Sequence, residues 1–319
     1  MLVVITGCSG QIGTNLAIRC LDVGYSVLGF DLRPNAWSVR VPTELLDLTT
    51  ATAEELGERV AAARGARDGV VVVHLAAHAK VHHLVQQPVK AFENIAMLRP
   101  VLELCRVQGL PLIFASSREV YGNKAMEMTD EQQADFSAAA STYAASKTAC
   151  ESMIYAYARC YALRYLVFRL SNVYGRYDND IARMSRVVPL FMRQIEAGEP
   201  VTVFGAHKVL DFTYIDDCVE GLMAGLVRLQ TGEVTDQIFN LAYGQGNSLL
   251  TLAEHLGHAL ELRPQLRIES SLPGEIDRYV ANIGKARALL GFEPRTDLRD
   301  GVRLSLQWAR GLGPVKVPA

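Results

Sequence analysis

The sequence predicts a doubly wound α/β fold, a parallel sheet with helices on both faces, followed by a smaller α/β lobe. Two observations predict it. Short β-branched runs alternate with longer helical stretches through the first half, and the first run passes straight into a glycine triad that opens a helix. The 319 residues carry a formal charge of −2, half are apolar and 21 % are charged, which excludes a mainly disordered chain and leaves ample sequence for a full core. Lys and Arg form no tracts. A small-molecule partner is therefore expected, with no nucleic acid and no membrane surface.

Leu2–Thr6, Ser26–Phe30, Val70–Leu75, Leu112–Ala115 and Tyr165–Leu170 read as strands whose nearly continuous apolar character marks burial on both faces. Helical patterns at Ile12–Val23, Pro88–Gln108 and Thr142–Tyr161 fall between them. Beyond Tyr174 the rhythm loosens into strands at Val201–Phe204 and Leu266–Glu269 and helices at Val187–Ala197, Leu250–Glu261 and Asp297–Gly311. Phe212–Ile215 and Gln237–Ala242 again read as buried strands, so the chain is expected to recross. The division expected is residues 1–174 plus about 209–245 in the first lobe, against about 175–208 plus 246–319 in the second. No leader pattern precedes the first strand, and every apolar run is far shorter than the ~20 residues a membrane span needs. Cys8, Cys20, Cys105, Cys150, Cys160 and Cys218 form no C-x-x-C pair. Reduced, mainly buried thiols and a cytoplasmic protein are expected.

Thr6-Gly7-Cys8-Ser9-Gly10-Gln11-Ile12-Gly13 follows the first strand directly. Gly7 permits the tight turn, Gly10 lets backbone approach a pyrophosphate, and Gly13 lets the helix pack closely on the sheet, so this context is that of a Rossmann-type dinucleotide loop. Asp31 ends the second strand about 20 residues on, where a carboxylate accepts bonds from the adenosine ribose and repels a 2′-phosphate. NAD is favoured over NADP, although Arg33 lies close in sequence. Asp47 is placed for the adenine or, equally well, for capping a turn.

Tyr143 and Lys147 stand at i and i+4, about 6 Å apart along one helix face. A lysine cation and an oxidised nicotinamide would both favour the phenolate of a tyrosine whose ordinary pKa is near ~10. Ser117 lies at the end of the fourth strand, on the edge where ligands bind α/β sheets. It is the candidate to hydrogen-bond the reacting oxygen.

Together these residues resemble the extended short-chain dehydrogenase/reductases, in particular their NAD-dependent sugar epimerase/dehydratase branch, over nearly the whole chain. The resemblance rests on Thr6–Gly13, His74–Ala77, Asn94, Ser116–Gly122, Tyr143–Lys147, Arg169–Gly175 and Asp211–Asp217, in that order. It implies Tyr143 as base, Lys147 on the nicotinamide ribose, Ser117 on the substrate oxygen and Asn172 on the substrate. It further implies cofactor contacts from Gln11, Ile12, Leu48, Leu75, Ala76, Ala77 and Asn94, and substrate contacts from Lys80, Val188 and Arg278. The activity implied is epimerisation of a nucleotide sugar or uronate through a transient ketone, with NAD as hydride store and no net redox change.

Glu119 opens an alternative. In relatives resembling nucleotide-sugar dehydratases and decarboxylases a carboxylate follows the serine or threonine by two, and here it would be a catalytic acid or base. Arg118 stands where those dehydratases carry a second acid or a cysteine, and its guanidinium fork suits an anionic group such as a uronate carboxylate. A salt bridge organising the turn is the plain reading of Glu119. His78, His82 and His83 fall in a loop on the substrate side, and no cluster supports a metal site.

Members that bind nucleotide diphosphates generally carry arginines where this chain has Leu210 and Leu272. His207, Lys208 or Arg278 would supply replacement charge, or the substrate carries no diphosphate, as in a net dehydrogenase or reductase acting on a free sugar or cyclitol. A non-catalytic NAD-sensing protein is the remaining alternative. The helices at Pro88–Gln108 and Thr142–Tyr161 are expected to pair with their copies in a homodimer.

Overall fold

A computed structural model describes residues 1–123, 127–178 and 186–311. In chain order the first half runs β1 (Leu2–Thr6), α1 (Gln11–Asp22), β2 (Ser26–Asp31), β3 (Thr43–Leu45), α2 (Ala53–Arg64), β4 (Val70–His74), α3 (Val81–Gln86), α4 (Val89–Gln108), β5 (Leu112–Ser117), α5 (Thr142–Tyr161) and β6 (Tyr165–Leu170). The remainder runs β7 (Asn172–Tyr174), α6 (Val187–Glu196), β8 (Val201–Phe204), β9 (Val209–Tyr214), α7 (Ile215–Thr231), β10 (Gln237–Leu241), β11 (Gly246–Asn247), α8 (Leu249–Leu260), β12 (Leu266–Glu269), β13 (Arg278–Tyr279), α9 (Gly284–Leu290) and α10 (Leu298–Gly311).

The main sheet has seven parallel strands in the order β10-β6-β5-β4-β1-β2-β3. Every residue of β1, β4, β5 and β6 is buried, because helices cover both faces. Alternate side chains of β1 feed the two cores: Val3 and Ile5 on one face, Leu2 and Val4 on the other with α2, α4 and α5. The strand order reverses between β1 and β4, which opens a crevice at their carboxyl ends.

A second sheet joins β11, β9 and β13, with β7 also paired to β9, and β8 pairs with β12. Here one expectation is corrected. The strand read at Phe212–Ile215 lies in this second sheet, and Ile215 already begins α7. A short apolar run looks the same in either sheet, and only its pairing with Asn172–Tyr174 decides the matter. Gln237–Leu241 does return to the main sheet, beside β6. We propose the two-lobe division of residues 1–174 with about 209–245 against about 175–208 with 246–319, with β7 and β9 as the shared hinge sheet. His82 and His83 lie on the short helix α3 rather than in a loop. The half-exposed edge strand β3 carries no apolar run and leaves no strand signature in the sequence. Among the described residues no helix is long and apolar enough to cross a membrane, and five cysteines are buried while Cys160 is exposed.

Three aromatic rings tie the loop after β2 to the last helix: Trp37 lies 5.8 Å from Tyr177 and 6.0 Å from Trp308, centroid to centroid. Nearer the crevice, Thr6 and His74 face each other across paired strands, their side chains hydrogen-bonded at 2.7 Å. The imidazole stacks on Phe114 and is fully buried, so burial, aided by the Lys147 cation, pulls its pKa down to about 3. In the unfolded chain the ring regains an ordinary value near ~6.5, so the unfolded state binds the extra proton as pH falls below that value. Stability from this group is complete at neutral pH and is lost between about 6.5 and 3. The expected loss from pH 7 to pH 5 is about 2 kcal/mol. His74→Asn, which keeps an acceptor for Thr6, should flatten the decline by that amount in urea melts at the two pH values; an unchanged slope would show that His74 does not cause it.

Candidate active site

Gly7 has φ +75°, and a Cβ there would lie 2.7 Å from the backbone nitrogen of Ala76, so glycine is required twice over. At Gly13 an added Cβ would collide with the Gly7 carbonyl oxygen, which locks the start of α1 against the loop. Gly10 differs: its φ of −79° suits any residue, and an added Cβ meets only the Gly7 oxygen at 3.3 Å. The space beyond it is open, at the N-terminus of a twelve-residue helix, where an anion is stabilised. Leu75 and Ala76 donate their N–H groups to the backbone and hydroxyl oxygens of Thr6, completing the cradle, with Ala77 following.

Asp31 sits at the end of β2, accepting from the N–H of Ser9 at 3.0 Å and of Arg33 at 3.2 Å, with the Arg33 guanidinium 4.0 Å away. Asp47 caps its own turn through Thr49 at 2.9 Å, while the Leu48 side chain is taken up by the core on one face of the main sheet and Ile12 packs against the core on the other. The buried Gln11 accepts from Arg186, which also pairs with Asp178 at 3.0 Å. These features fit a dinucleotide along the crevice, with the loop amides on its phosphates and Asp31 on its ribose.

Tyr143, Lys147 and Ser117 are all buried and converge at the carboxyl edge of β5. Helix α5 starts sharply because the Ser141 hydroxyl accepts from the Ala144 N–H at 3.1 Å, and this places Tyr143 in the first turn. The expected acidic phenol is corrected for the chain by itself. Burial pushes Tyr143 up to about 12, against a hydrogen bond with the Ser117 hydroxyl that lowers it. The Lys147 ammonium donates to the Ala115 carbonyl at 2.8 Å over the Phe114 ring, and burial pulls its own pKa down to about 8. At neutral pH it is still mostly protonated.

Asn94 is buried and bridges elements: its amide accepts from the His78 N–H at 2.7 Å and donates to Ser146 at 3.1 Å, which holds the loop after β4 against α5. His78 is paired with Glu93, and Lys80 caps α3 beside it. Two residues that sequence reasoning missed lie behind the site. Glu151, one turn beyond Lys147, receives both forks of Arg169 at 3.0 and 2.6 Å, together with the Ser116 and Tyr155 hydroxyls. A polar residue at i+4 from the lysine on an apolar helix face was the available signal. Asp211 is the other, fully buried and pushed up to about 7 by burial while accepting from the N–H groups of Tyr243, Gly244 and Ala281.

On the substrate side, Arg118 and Glu119 follow Ser117 in a 3-10 turn and pair with each other at 3.0 Å, nearly buried. Asn172 donates its amide to the Asp211 carbonyl at 3.1 Å. Val188 is buried on α6. Leu210 is buried in the core, so it substitutes packing for charge. The buried Lys208 ammonium is matched by Glu275 at 2.5 Å, His207 faces Asp277 at 3.3 Å, and Arg278 is half-buried on β13.

A hydroxyl, a phenol and an ammonium gathered beside a dinucleotide cradle in this strand order define an extended short-chain dehydrogenase/reductase. Within that class the sequence model of the NAD dependent epimerase/dehydratase family matches residues 3–242, and the chain belongs to this family. A probable UDP-glucuronate 4-epimerase of Rhizobium meliloti (strain 1021) is 30 % identical over 97 % of the chain and 96 % of its own length. A UDP-glucose 4-epimerase of Thermotoga maritima, solved with UDP-glucose, superposes with a TM-score of 0.88 at 25 % identity, covering 98 % of this chain and 99 % of that one. A UDP-glucose 4-epimerase of Thermus thermophilus, solved with NAD, gives 0.85 at 29 % identity, with the same coverage of each chain.

The glycine geometry separates a folding role from a binding role. Gly10→Ala should leave the thermal midpoint nearly unchanged and weaken NAD binding at least tenfold by calorimetry. Gly7→Ala should lose stability as well, by a few kcal/mol, from a strained φ and a backbone clash. Equal effects at the two positions would count against an open phosphate site at Gly10.

Proposed function

We propose that the protein is an NAD-dependent sugar epimerase that inverts a hydroxyl-bearing carbon of a nucleotide sugar, C4 by likeness to its relatives, through a transient ketone. The observation that carries this reading is the buried contact of Ser117 with the Tyr143 phenol at the carboxyl edge of the sheet, one helical turn from Lys147 and beside the glycine loop. NAD, when bound, supplies a reversible hydride store. Tyr143 would take the hydroxyl proton as the carbon is oxidised and return it on reduction; burial holds the phenol protonated at neutral pH in the chain by itself, and a positive nicotinamide beside it would favour the phenolate that the base role needs. Ser117 holds the reacting oxygen. Lys147, anchored on Ala115, is placed for the nicotinamide ribose. Inversion then requires the ketone to present its other face.

Glu119 has one carboxylate oxygen engaged by Arg118, which supports a turn-organising role over a free acid for elimination or decarboxylation. Tyr143→Phe should lower kcat by about 10²–10⁴ while NAD binding is retained. The product should keep the mass of the substrate; loss of water or carbon dioxide in the mass spectrum would replace this reading with the lyase alternative.

A homodimer is part of the same proposal. Helices α4 and α5 lie side by side and expose Val89 (63 %), Phe92 (71 %) and Met153 (44 %), apolar surface suited to a self-complementary contact. Free, mostly buried thiols support a reducing, cytoplasmic setting. Sedimentation should show a dimer that Phe92→Asp converts to monomer; a monomeric parent protein at micromolar concentration would remove the dimer from the proposal.

A further inference from the structure

Arg118 and Glu119 leave the turn after Ser117 as a pair, Nη2 to Oε1 at 3.0 Å, with side chains only 11 % and 6 % exposed. Each keeps a second polar atom, Arg118 Nη1 and Glu119 Oε2, buried and without a hydrogen-bond partner among the described residues. Orphaned atoms of this kind are costly in a folded protein unless a ligand meets them. One is a donor and the other an acceptor. They lie beside the reacting centre: both residues act electrostatically on the Tyr143 phenol, and the hydroxyl of the neighbouring Ser117 accepts the Glu119 N–H at 3.2 Å.

The charged neighbours of Glu119 are paired among themselves. Glu119 feels Lys208 and Glu275 as well as Arg118, and the Lys208 ammonium is matched by Glu275 at 2.5 Å. Two guanidinium or ammonium cations thus face two carboxylates, with the buried Asp211 acting on Arg118 from the strand below. We infer that the Arg118–Glu119 pair reads a hydroxyl of an uncharged sugar and discriminates against a uronate at the same position, resting on the proposal that the sugar reacts at Tyr143. A hydroxyl both accepts and donates, so it satisfies Nη1 and Oε2 together. A carboxylate only accepts. It would meet Nη1 but leave Oε2 facing a like charge, and it would have to draw Arg118 away from Glu119. The likeness to UDP-glucuronate epimerases points the other way, so the pair bears directly on which sugar this chain selects.

Calorimetric titration of the NAD-loaded protein with UDP-glucose and with UDP-glucuronate tests this. The parent protein should bind UDP-glucose at least tenfold more tightly. Glu119→Gln, which frees the guanidinium at constant shape, should move the ratio toward UDP-glucuronate at least tenfold, and the double variant Arg118→Gln/Glu119→Gln should lose that gain. If Glu119→Gln does not fold, Arg118→Gln alone serves: it should weaken UDP-glucuronate relative to UDP-glucose at least a further tenfold. A parent protein that prefers the uronate, a ratio that moves less than tenfold, or no binding of either sugar overturns the inference. Selective binding without turnover would support it and count only against the epimerase reading.

Discussion

Arg169, near the carboxyl end of β6, and Glu151, two turns beyond Tyr143 on α5, form a two-pronged ion pair in the interior, each side chain 3 % exposed. Taking two charges out of water is expensive, and their attraction offsets the cost only when every remaining donor and acceptor is engaged. Here they are engaged on all sides. Ser116 and Tyr155 bond the carboxylate, and the remaining guanidinium nitrogen reaches Tyr121 at 3.1 Å and the Glu131 carbonyl at 2.7 Å. The pair therefore has one low-energy arrangement, and that arrangement sets the distance between α5, which carries Tyr143 and Lys147, and β5, which carries Ser117.

The network extends past the sheet. Tyr121 bonds Asn240 at 2.5 Å, Tyr279 reaches the same oxygen at 3.2 Å, and the Asn240 amide donates to the carbonyls of Thr129 and Asn282. Strands of both sheets are thereby tied to one buried set of polar atoms. Asp211 completes the connection from the other side by collecting three backbone N–H groups around β9. A sugar bound at the proposed site would meet walls already positioned by internal hydrogen bonds, which would limit the ordering cost of binding.

Burial also sets the electrostatics of the site. Burial pulls the pKa of His74 down to about 3 and that of Lys147 down to about 8, and pushes the Tyr143 phenol up to about 12. In a low-dielectric crevice a cationic cofactor ring would have a large effect on a nearby phenol.

What the sequence determined by itself was local. The glycine triad after an apolar strand, the i, i+4 spacing of Tyr143 and Lys147, and the serine at a strand end depend on neighbours a few residues away, so the parallel sheet and the set of candidate residues at its edge were legible in the sequence. Tertiary structure decided the rest. That Glu119 is neutralised by Arg118 and Lys208 by Glu275, that β9 joins the second sheet, that Arg169 meets Glu151, and that the phenol is pushed up rather than down are outcomes of burial and of pairing between distant segments. The free energy of a charge depends on the solvent and partners that folding leaves around it, and neither is encoded in the residue or its near neighbours.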